Sequence, residues 1–310
     1  MAIHSLERNF QGFLARINPG ESYEATAASE YRNVSRLLES SEGPAAELRP
    51  RCFLQGSYRQ QTAIYTINDI DIVALSDLYY PGSGSGRSYP RDEIFSLLTK
   101  ALQQDNRYRN KLRYGSQSLC IKIDLSIKVE ILPAVKPQGV SDFEHEPFKV
   151  YRPETGKWID AYARFHQAHL TDKNKSVGSF KPMIKTMKHL RDFWGLDVED
   201  AVSFHFECLL YRVPNSCYSG TFADVVEAVL ASLAGFGPDL AEASNITSPC
   251  GDKILFSESE WGKAAYTRFH DFVKRWAIIA SGANRQNIRN DAIESWKQLL
   301  GDQYFPRDVL

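Results

Sequence analysis

The stretch FLQGSYRQQTAIYTINDIDIVAL, residues 53–75, carries the strongest signal for the fold of this chain. Its second half is a run of Ile, Val and Leu that also contains Asp69 and Asp71. Residues i and i+2 of a β-strand point to the same face, so the run predicts a strand with two carboxylates side by side. Such carboxylates repel each other, more so when buried, unless a cation lies between them. Mg²⁺ prefers oxygen ligands and often adds substrate phosphates, so the pair predicts a site for Mg²⁺ and a nucleoside triphosphate.

A Gly-Ser turn precedes this strand and supplies the other half of the predicted site. Gly56 lets the backbone approach a phosphate closely, because glycine has no side chain. Ser57 is expected to open a short helix, SYRQQTAI, whose free N–H groups favour an anion. Asp69 follows Ser57 by 12 residues. Gln55, Gly56 and Ser57 are therefore candidate nucleotide-binding residues.

Phosphoryl transfer with two metal ions usually requires a third carboxylate. Glu130 is the main candidate, since it lies inside the predicted strand IKVEILPAV, residues 127–135, where a structural reason for Glu is hard to find. Asp124 is the alternative, in the predicted strand SLCIKIDLS, residues 118–126, beside the expected turn between the two strands. The predicted catalytic and metal-binding residues are thus Asp69, Asp71 and Glu130.

Composition excludes several classes of protein. The 310 residues are 43% hydrophobic, and 37 basic residues nearly balance 38 acidic ones, so no dedicated DNA or RNA surface is expected. The five cysteines are scattered and form no CxxC motif, which predicts free thiols in a reducing compartment. The N-terminus does not resemble a signal peptide, and no apolar run approaches the ~20 residues of a membrane span. We therefore expect a cytoplasmic protein without membrane contact.

The periodicity of apolar residues divides the chain into an α/β front and a helical back. Residues 3–41 are predicted to be helical with a break or kink at Pro19-Gly20, and a helix is predicted over 93–104 between the strands. The Gly/Ser-rich stretch between the first strand and that helix lacks the end of a P-loop and predicts a loop. The expected domains are 1–160, a core with a long N-terminal helix, and 161–310, a helical domain.

One predicted helix, FKPMIKTMKHLRDFW, residues 180–194, carries two separate faces. Lys181, Lys185 and Lys188 form a basic face apart from the apolar stripe. A solvated lysine face is the default interpretation of this pattern. The alternative is that one lysine turns inward and binds a triphosphate.

Taken together, QGSY, NDIDIVAL and VEILPA resemble the nucleotidyltransferase core of the polymerase-β superfamily. More narrowly, the chain resembles the CD-NTases, the nucleotidyltransferases similar to cyclic GMP-AMP synthase and dinucleotide cyclase that belong to bacterial CBASS anti-phage systems. The segments WIDAYARFHQAH, FKPMIKTMKHLRDFW, SFHFECLLY and AIESWKQLLGDQYFP continue the resemblance in the same order, over nearly the whole chain. The third carboxylate is often Asp in that family and is Glu here.

The resemblance implies a two-lobed α+β fold, with a polymerase-β-like core around a mixed sheet and a C-terminal helical lobe. It implies two Mg²⁺ ions, with Mn²⁺ as a substitute, and assigns Lys188 and Ser203 to the β- and γ-phosphates. The implied reaction joins NTPs into a cyclic di- or trinucleotide and releases pyrophosphate. The implied NTPs are ATP and, as further candidates, GTP or UTP. A product-sensing effector protein and a CBASS regulatory protein are the implied partners.

Two alternatives to this activity stay open at the level of sequence. One is another enzyme of the superfamily, making a linear oligonucleotide or nucleotidylating a protein. The other is a catalytically silent nucleotide-binding or antitoxin-like protein, against which the intact carboxylate trio argues.

Overall fold

A computed structural model describes residues 2–67, 69–79, 90–137, 140, 142, 144, 147–243, 246–257 and 260–307. Its strands are β1 Arg51–Gln55, β2 Asp69–Tyr79, β3 Leu112–Arg113, β4 Ile121–Ile123, β5 Lys128–Lys136, β6 Phe148–Arg152 and β7 Lys157–Ala161. Its helices are α1 Glu7–Ile17, α2 Glu21–Leu38, α3 Gly56–Gln60, α4 Arg91–Leu102, α5 Asn106–Arg109, α6 Ala163–Val177, α7 Phe180–Phe193, α8 Ser203–Arg212, α9 Phe222–Gly235, α10 Leu240–Ala243, α11 Lys263–Asn284 and α12 Arg289–Leu300. The Gly/Ser-rich loop predicted after β2 falls on residues 80–89, which lie outside the described residues.

The strands form one mixed sheet in the described ranges, as the sequence predicts. The main order is β1-β2-β5-β4-β3, and β6 pairs with both β5 and β7. Strands β2 and β5 run parallel, whereas the other pairs are antiparallel. A parallel pair needs a crossover connection. Here α4 and α5 are part of that connection, which accounts for the helix predicted between the strands.

The two faces of β2 differ in what they pack against. Ile70, Ile72 and Ala74 join an apolar cluster that includes residues of α2 and α4. Val73 and Leu75 join a smaller cluster on the opposite face. Since side chains alternate along a strand, Asp69 and Asp71 project from the face of Val73 and Leu75. The side-by-side carboxylates expected from the sequence are thus present.

The chain forms two compact units that differ from the two continuous ranges predicted, 1–160 and 161–310. The sheet unit comprises Pro19–Gln61 and Thr66–Phe165. The helical unit comprises Met1–Asn18, Thr62–Tyr65 and His166–Leu310. Two short pieces of the first half of the sequence therefore pack with the helices.

The predicted long N-terminal helix is two helices. α1 ends at Ile17 and α2 begins at Glu21, so the break falls at Pro19-Gly20 as expected. Asn18 is extended, with ψ 154°, because a residue that precedes proline is pushed out of the helical region. α1 belongs to the helical unit and α2 to the sheet unit, so the N-terminal helix is divided between the two units at the predicted break.

The helical unit has its own aromatic core. The ring of Phe10 meets those of Trp296 and Phe305 edge-on, with centroids 4.9 and 5.0 Å apart. Ile64 is 3% exposed and belongs to the same apolar cluster, although it lies between β1 and β2 in the sequence. The short 62–65 segment is therefore an integral part of this core.

Two predictions from composition concern the whole chain. All five cysteines are free thiols, as their scattered positions indicate. Within the described ranges, no helix has the length and apolar character to cross a membrane.

Candidate active site

The register of the sheet brings together most of the residues singled out in the sequence. Asp71 on β2 lies opposite Glu130 on β5, and Asp69 lies opposite Lys128. On its other side, Asp71 lies opposite Gln55, the last residue of β1. Lys122 on β4 completes this row beyond Glu130. Cross-strand partners share a face, so the row Gln55, Asp71, Glu130 and Lys122 projects from one side of the sheet.

Gly56 follows Gln55 directly, and the structure requires glycine there. Its φ is +69°, in the region that glycine adopts without steric cost. A Cβ on Gly56 would lie 1.9 Å from Oδ2 of Asp71, far closer than any real contact. The backbone of the Gly-Ser turn therefore touches a carboxylate of the predicted metal site. Ser57 lies in the first turn of α3, but this helix ends at Gln60 and is shorter than the predicted SYRQQTAI, because Gln61 adopts the left-handed conformation.

The electrostatics of Asp69 indicate a site with excess negative charge. Partial burial raises the pKa of its carboxyl above the usual value, and the charge of Glu130 raises it further. Nearby lysines, Lys128 and Lys122, oppose the shift without cancelling it. The Tyr23 hydroxyl donates to the backbone carbonyl of Asp69 at 2.6 Å and fixes the start of the strand. A bound cation would favour the charged form of these carboxylates.

Glu130 already has a cationic partner. Nζ of Lys122 donates to Oε1 of Glu130 at 2.6 Å, and this hydrogen bond raises the pKa of the lysine. The thiol of Cys120 lies near the same negative charges. Burial is the main reason that its pKa is raised to about 12, and the charges of Glu130 and Asp71 contribute to the same shift.

The rival third carboxylate has a different environment. Asp124 follows β4 and accepts a hydrogen bond from Nε of Arg113 at 2.9 Å, with about half of its side chain exposed. It lies beside the turn that leads into β5, as the sequence predicts. Only Glu130 of the two candidates faces Asp71 in the sheet register.

The donor chemistry and register of the carboxylates suit a hard divalent cation, which prefers oxygen ligands. Among the residues that the structure describes, however, no three His, Cys, Asp or Glu side chains are gathered closely enough to hold a metal ion. The Glu130 carboxylate is paired with Lys122. Asp69, Asp71 and Glu130 are the residues that would hold such a cation.

Lys188 belongs to the helical unit, on α7, and it is buried. Only 3% of the residue is exposed, whereas Lys181 and Lys185 on the same helix remain partly exposed. Burial lowers the pKa of Lys188 to about 8, and the negative charge of Glu207 opposes that shift. The solvated lysine face, the default interpretation of this helix, is therefore wrong for Lys188.

Ser203 begins α8 in the same unit, with Val202 as the residue that precedes the helix. The first N–H groups of a helix have no partner within it and favour an anion. The position suits the phosphate contact that the resemblance assigns to Ser203, and that role stays a prediction.

Three residues next to these sites were not anticipated from the sequence. Lys122 is the cross-strand partner of Glu130, Tyr23 caps the strand start at Asp69, and Thr62 accepts hydrogen bonds from Lys188. Lys122 was detectable in principle, because the alternation in SLCIKIDLS places it on the polar face of its strand. The contacts of Tyr23 and Thr62 join segments distant in sequence, and no local pattern predicts them.

The mixed sheet therefore has the arrangement that the sequence predicts for a nucleotidyltransferase core, with Glu130 opposite Asp71 and Gly56 against Asp71. The chain matches the SMODS family, "Second Messenger Oligonucleotide or Dinucleotide Synthetase domain", over residues 4–174. It also matches the "cGAS/DncV-like nucleotidyltransferase C-terminal helical domain" over residues 168–277. The first match covers more than half of the chain, which therefore belongs to this family, the CD-NTases.

Relatives with assigned activities agree with this family. A cyclic UMP-AMP synthase of Rhodothermus marinus is 24% identical over 265 residues, covering 79% of this chain and 89% of the relative. A cyclic AMP-AMP-AMP synthase of an Acinetobacter strain is 22% identical over 321 residues, covering 99% of this chain and 87% of the relative.

Solved structures show the same fold. The Rhodothermus marinus CdnE c-UMP-AMP synthase with Apcpp and Upnpp superposes with a TM-score of 0.69 at 21% identity, over 92% of this chain and 100% of that one. E. coli MS115-1 CdnC with ATP gives a TM-score of 0.72 at 14% identity, over 97% of this chain and 98% of that one. The predicted α+β nucleotidyltransferase fold is thereby confirmed.

Proposed function

We propose that this protein uses Mg²⁺ to join NTPs into a cyclic di- or trinucleotide and releases one pyrophosphate for each bond formed. The observation that carries the proposal is the register of β2 and β5, which sets Asp71 opposite Glu130 with Gly56 against Asp71. The names of the relatives support the cyclic product, since each describes a cyclic nucleotide synthase.

The three candidate carboxylates have specific roles in the proposed reaction. Asp69, Asp71 and Glu130 would hold two divalent cations, which supply charge neutralisation for the triphosphate and activation of the attacking hydroxyl. The ribose hydroxyl of one nucleotide attacks the α-phosphorus of another. A new P–O bond forms, the α–β bridging P–O bond breaks, and the electron pair leaves with pyrophosphate. Glu130 would also accept the hydroxyl proton.

The remaining candidate residues bind the substrate. The backbone at Gly56 and the hydroxyl of Ser57 receive the phosphates, with Gln55 beside them on the same face as Asp71. Lys188 and Ser203 hold the β- and γ-phosphates, as the resemblance implies. A second attack, by a hydroxyl of the same linear product on its remaining triphosphate, closes the ring.

The proposal also covers the biological role of the cyclic product. The family description refers to second messengers, and one related structure pairs E. coli MS115-1 CdnC with a HORMA protein. We therefore infer that the product signals to a separate effector protein in anti-phage CBASS defence within the cytoplasm, with a regulatory protein as a further partner. Related structures with Apcpp, Upnpp, GTP or ATP support NTPs as substrates.

Incubation of the purified protein with labelled NTPs and Mg²⁺ or Mn²⁺, followed by phosphatase treatment and mass spectrometry, tests the function. A cyclic product resists phosphatase and has lost one pyrophosphate per nucleotide. A phosphatase-sensitive oligonucleotide would indicate a linear synthase, and label retained on polypeptide would indicate protein nucleotidylation. Absence of any product with all four NTPs and either metal would contradict the proposal.

A further inference from the structure

The ammonium group of Lys188 is held by a residue far away in the sequence. Its Nζ donates to the backbone carbonyl of Thr62 at 3.0 Å and to Oγ1 of the same residue at 3.3 Å. Thr62 is fully buried, and both residues belong to the helical unit. One threonine thus contributes two oxygens to a buried charge.

This arrangement is unusual for a lysine in a protein interior. Lysine is rarely buried unless it is paired, and Lys188 forms no ion pair with a carboxylate of the described residues. The charges around it are mixed: Glu207 and Asp192 favour the ammonium form, whereas Arg191 and Lys185 disfavour it, as burial does. A buried lysine with neutral partners has a charge that an anionic ligand can still satisfy.

The number of donors supports this interpretation. An ammonium group has three N–H donors and no acceptor. Among the residues that the structure describes, the two oxygens of Thr62 are the acceptors of this group, which leaves one N–H to direct at a phosphate oxygen. Because the other two are fixed, the direction of the third is fixed as well.

Thr62 itself has little freedom to move. It opens the 62–65 segment, in which Ala63 and Ile64 are buried. The backbone N–H of Tyr65 donates to the carbonyl of Ile17 at 2.9 Å, so the far end of the segment is attached to α1. The residue before it, Gln61, has φ +60° and ends α3 in the left-handed region. The segment therefore presents Thr62 to Lys188 in a defined position.

We propose that Thr62 is a positioning residue that holds the Lys188 ammonium group and aims it at the triphosphate of an NTP. This inference rests on the proposed function, in which Lys188 contacts the β- and γ-phosphates. It adds a residue to which neither the sequence pattern nor the comparisons give a role.

The test measures affinity for a non-hydrolysable NTP analogue with Mg²⁺ by calorimetry. Thr62→Val keeps the shape and the carbonyl but removes the hydroxyl acceptor, so the affinity should fall roughly tenfold, the usual scale of a hydrogen bond to a charged group. Thr62→Ser restores a hydroxyl and should bind within about twofold of the wild type. Thr62→Ala, which adds no bulk, replaces the valine variant if that protein does not fold.

A matched control comes from the same region. Thr186 on α7 is also fully buried, but its hydroxyl donates to the carbonyl of Pro182 at 3.0 Å within its own helix. Thr186→Val repeats the chemical change without touching Lys188. It should leave NTP affinity unchanged, whatever it costs in melting temperature.

Coupling to Lys188 separates positioning from a merely structural role. In a Lys188→Ala background, Thr62→Val should produce no further loss of affinity, because the group it positions is gone. An equal loss in both backgrounds would overturn the inference, as would a valine variant with wild-type affinity or a serine variant that fails to recover it. If the wild-type protein itself bound no NTP, the proposed function would fail first and this inference with it.

Discussion

The carboxylates of the sheet unit and the lysine of the helical unit are all ionisable groups at least partly shielded from water, but their surroundings differ. Glu130 lies close enough to Asp69 to disfavour the charged form of Asp69, and both residues remain partly open to solvent. Lys188 is almost completely buried and is bonded to the neutral oxygens of Thr62. The carboxylates carry an excess of negative charge. Lys188 carries a single positive charge without an ion-pair partner among the described residues.

The difference shows what each region is prepared to bind. Crowded carboxylates on a rigid strand pair favour a cation, since a cation removes their repulsion. A buried ammonium with neutral partners favours an anion, which adds the charge that Thr62 cannot provide. Substitutions in the two regions therefore test the binding of different ligands, a cation in the sheet unit and an anion in the helical unit.

The largest effect is expected from the Asp pair. Asp69→Asn combined with Asp71→Asn should abolish product formation, because it removes two oxygen anions that would hold the metal. The metal-free variant should melt at the same temperature as the wild type or higher, since the crowded charges are gone. Assays of purified protein and thermal melting without Mg²⁺ measure the two results. Substantial activity in the double variant would sink the metal-site assignment.

The third carboxylate should have the next largest effect. Glu130→Gln should lower turnover by several orders of magnitude, because it removes a metal ligand and the group that accepts the hydroxyl proton. Asp124→Asn is the matched control and should change turnover little, since its carboxylate pairs with Arg113 at the surface. Steady-state rates of both variants decide the matter. The reverse order would transfer the role to Asp124.

Substitution of Lys188 tests whether the helical unit binds the anionic part of an NTP. Lys188→Ala should weaken NTP binding by roughly one to two decades, from ~1.5–3 kcal/mol for a charge-assisted contact. Lys181→Ala, on the first turn of the same helix, should change binding far less. Alanine preserves the helix in both proteins. Calorimetric titration of the two variants with an NTP analogue gives the comparison, and indistinguishable affinities would remove Lys188 from the site.

The smallest effect concerns the pH dependence of metal-free stability. The raised pKa of Asp69 means that folding disfavours its charged form, so its contribution is most favourable at low pH and is lost as pH rises through the folded-state pKa. Asp69→Asn should therefore be slightly more stable than the wild type at pH 7, by under ~1 kcal/mol because solvent screens this half-exposed carboxyl. The difference should shrink as the pH is lowered, and chemical denaturation at several pH values checks it. A variant less stable at pH 7 would contradict the crowding of charge.

Much of the sheet could be read from the sequence because β2 and β5 are long and apolar. The helix between them was also clear, predicted at 93–104 and found at Arg91–Leu102. Strands β6 and β7 were missed, since FKVYR and KWIDA are short and mix charged with aromatic residues. The predicted strand over 118–126 is only Ile121–Ile123, because the turn to β5 begins at Asp124.

The site could be predicted only as far as local patterns reach. The spacing of Asp69 and Asp71 within one strand is local, and it was sufficient to predict that both side chains project from the same face of the sheet. Lys181, Lys185 and Lys188 fall within about 60° of one another around an ideal helix, so periodicity cannot tell them apart. The 62–65 segment buries Lys188 in the last turns of α7 and provides its partner, Thr62. Because this segment is distant in sequence, the residue pattern of α7 alone does not show which of its lysines is buried.

The contact between Gly56 and Asp71 limits how this protein can be re-engineered. Any side chain at position 56 would collide with a carboxylate oxygen, at 1.9 Å for the Cβ alone, so Asp71 would have to turn away. A substitution intended to alter only the phosphate loop would therefore disturb the cation ligand as well. A biosensor that retains nucleotide binding but has lost turnover is better designed from Glu130, which is partly exposed and is paired with Lys122.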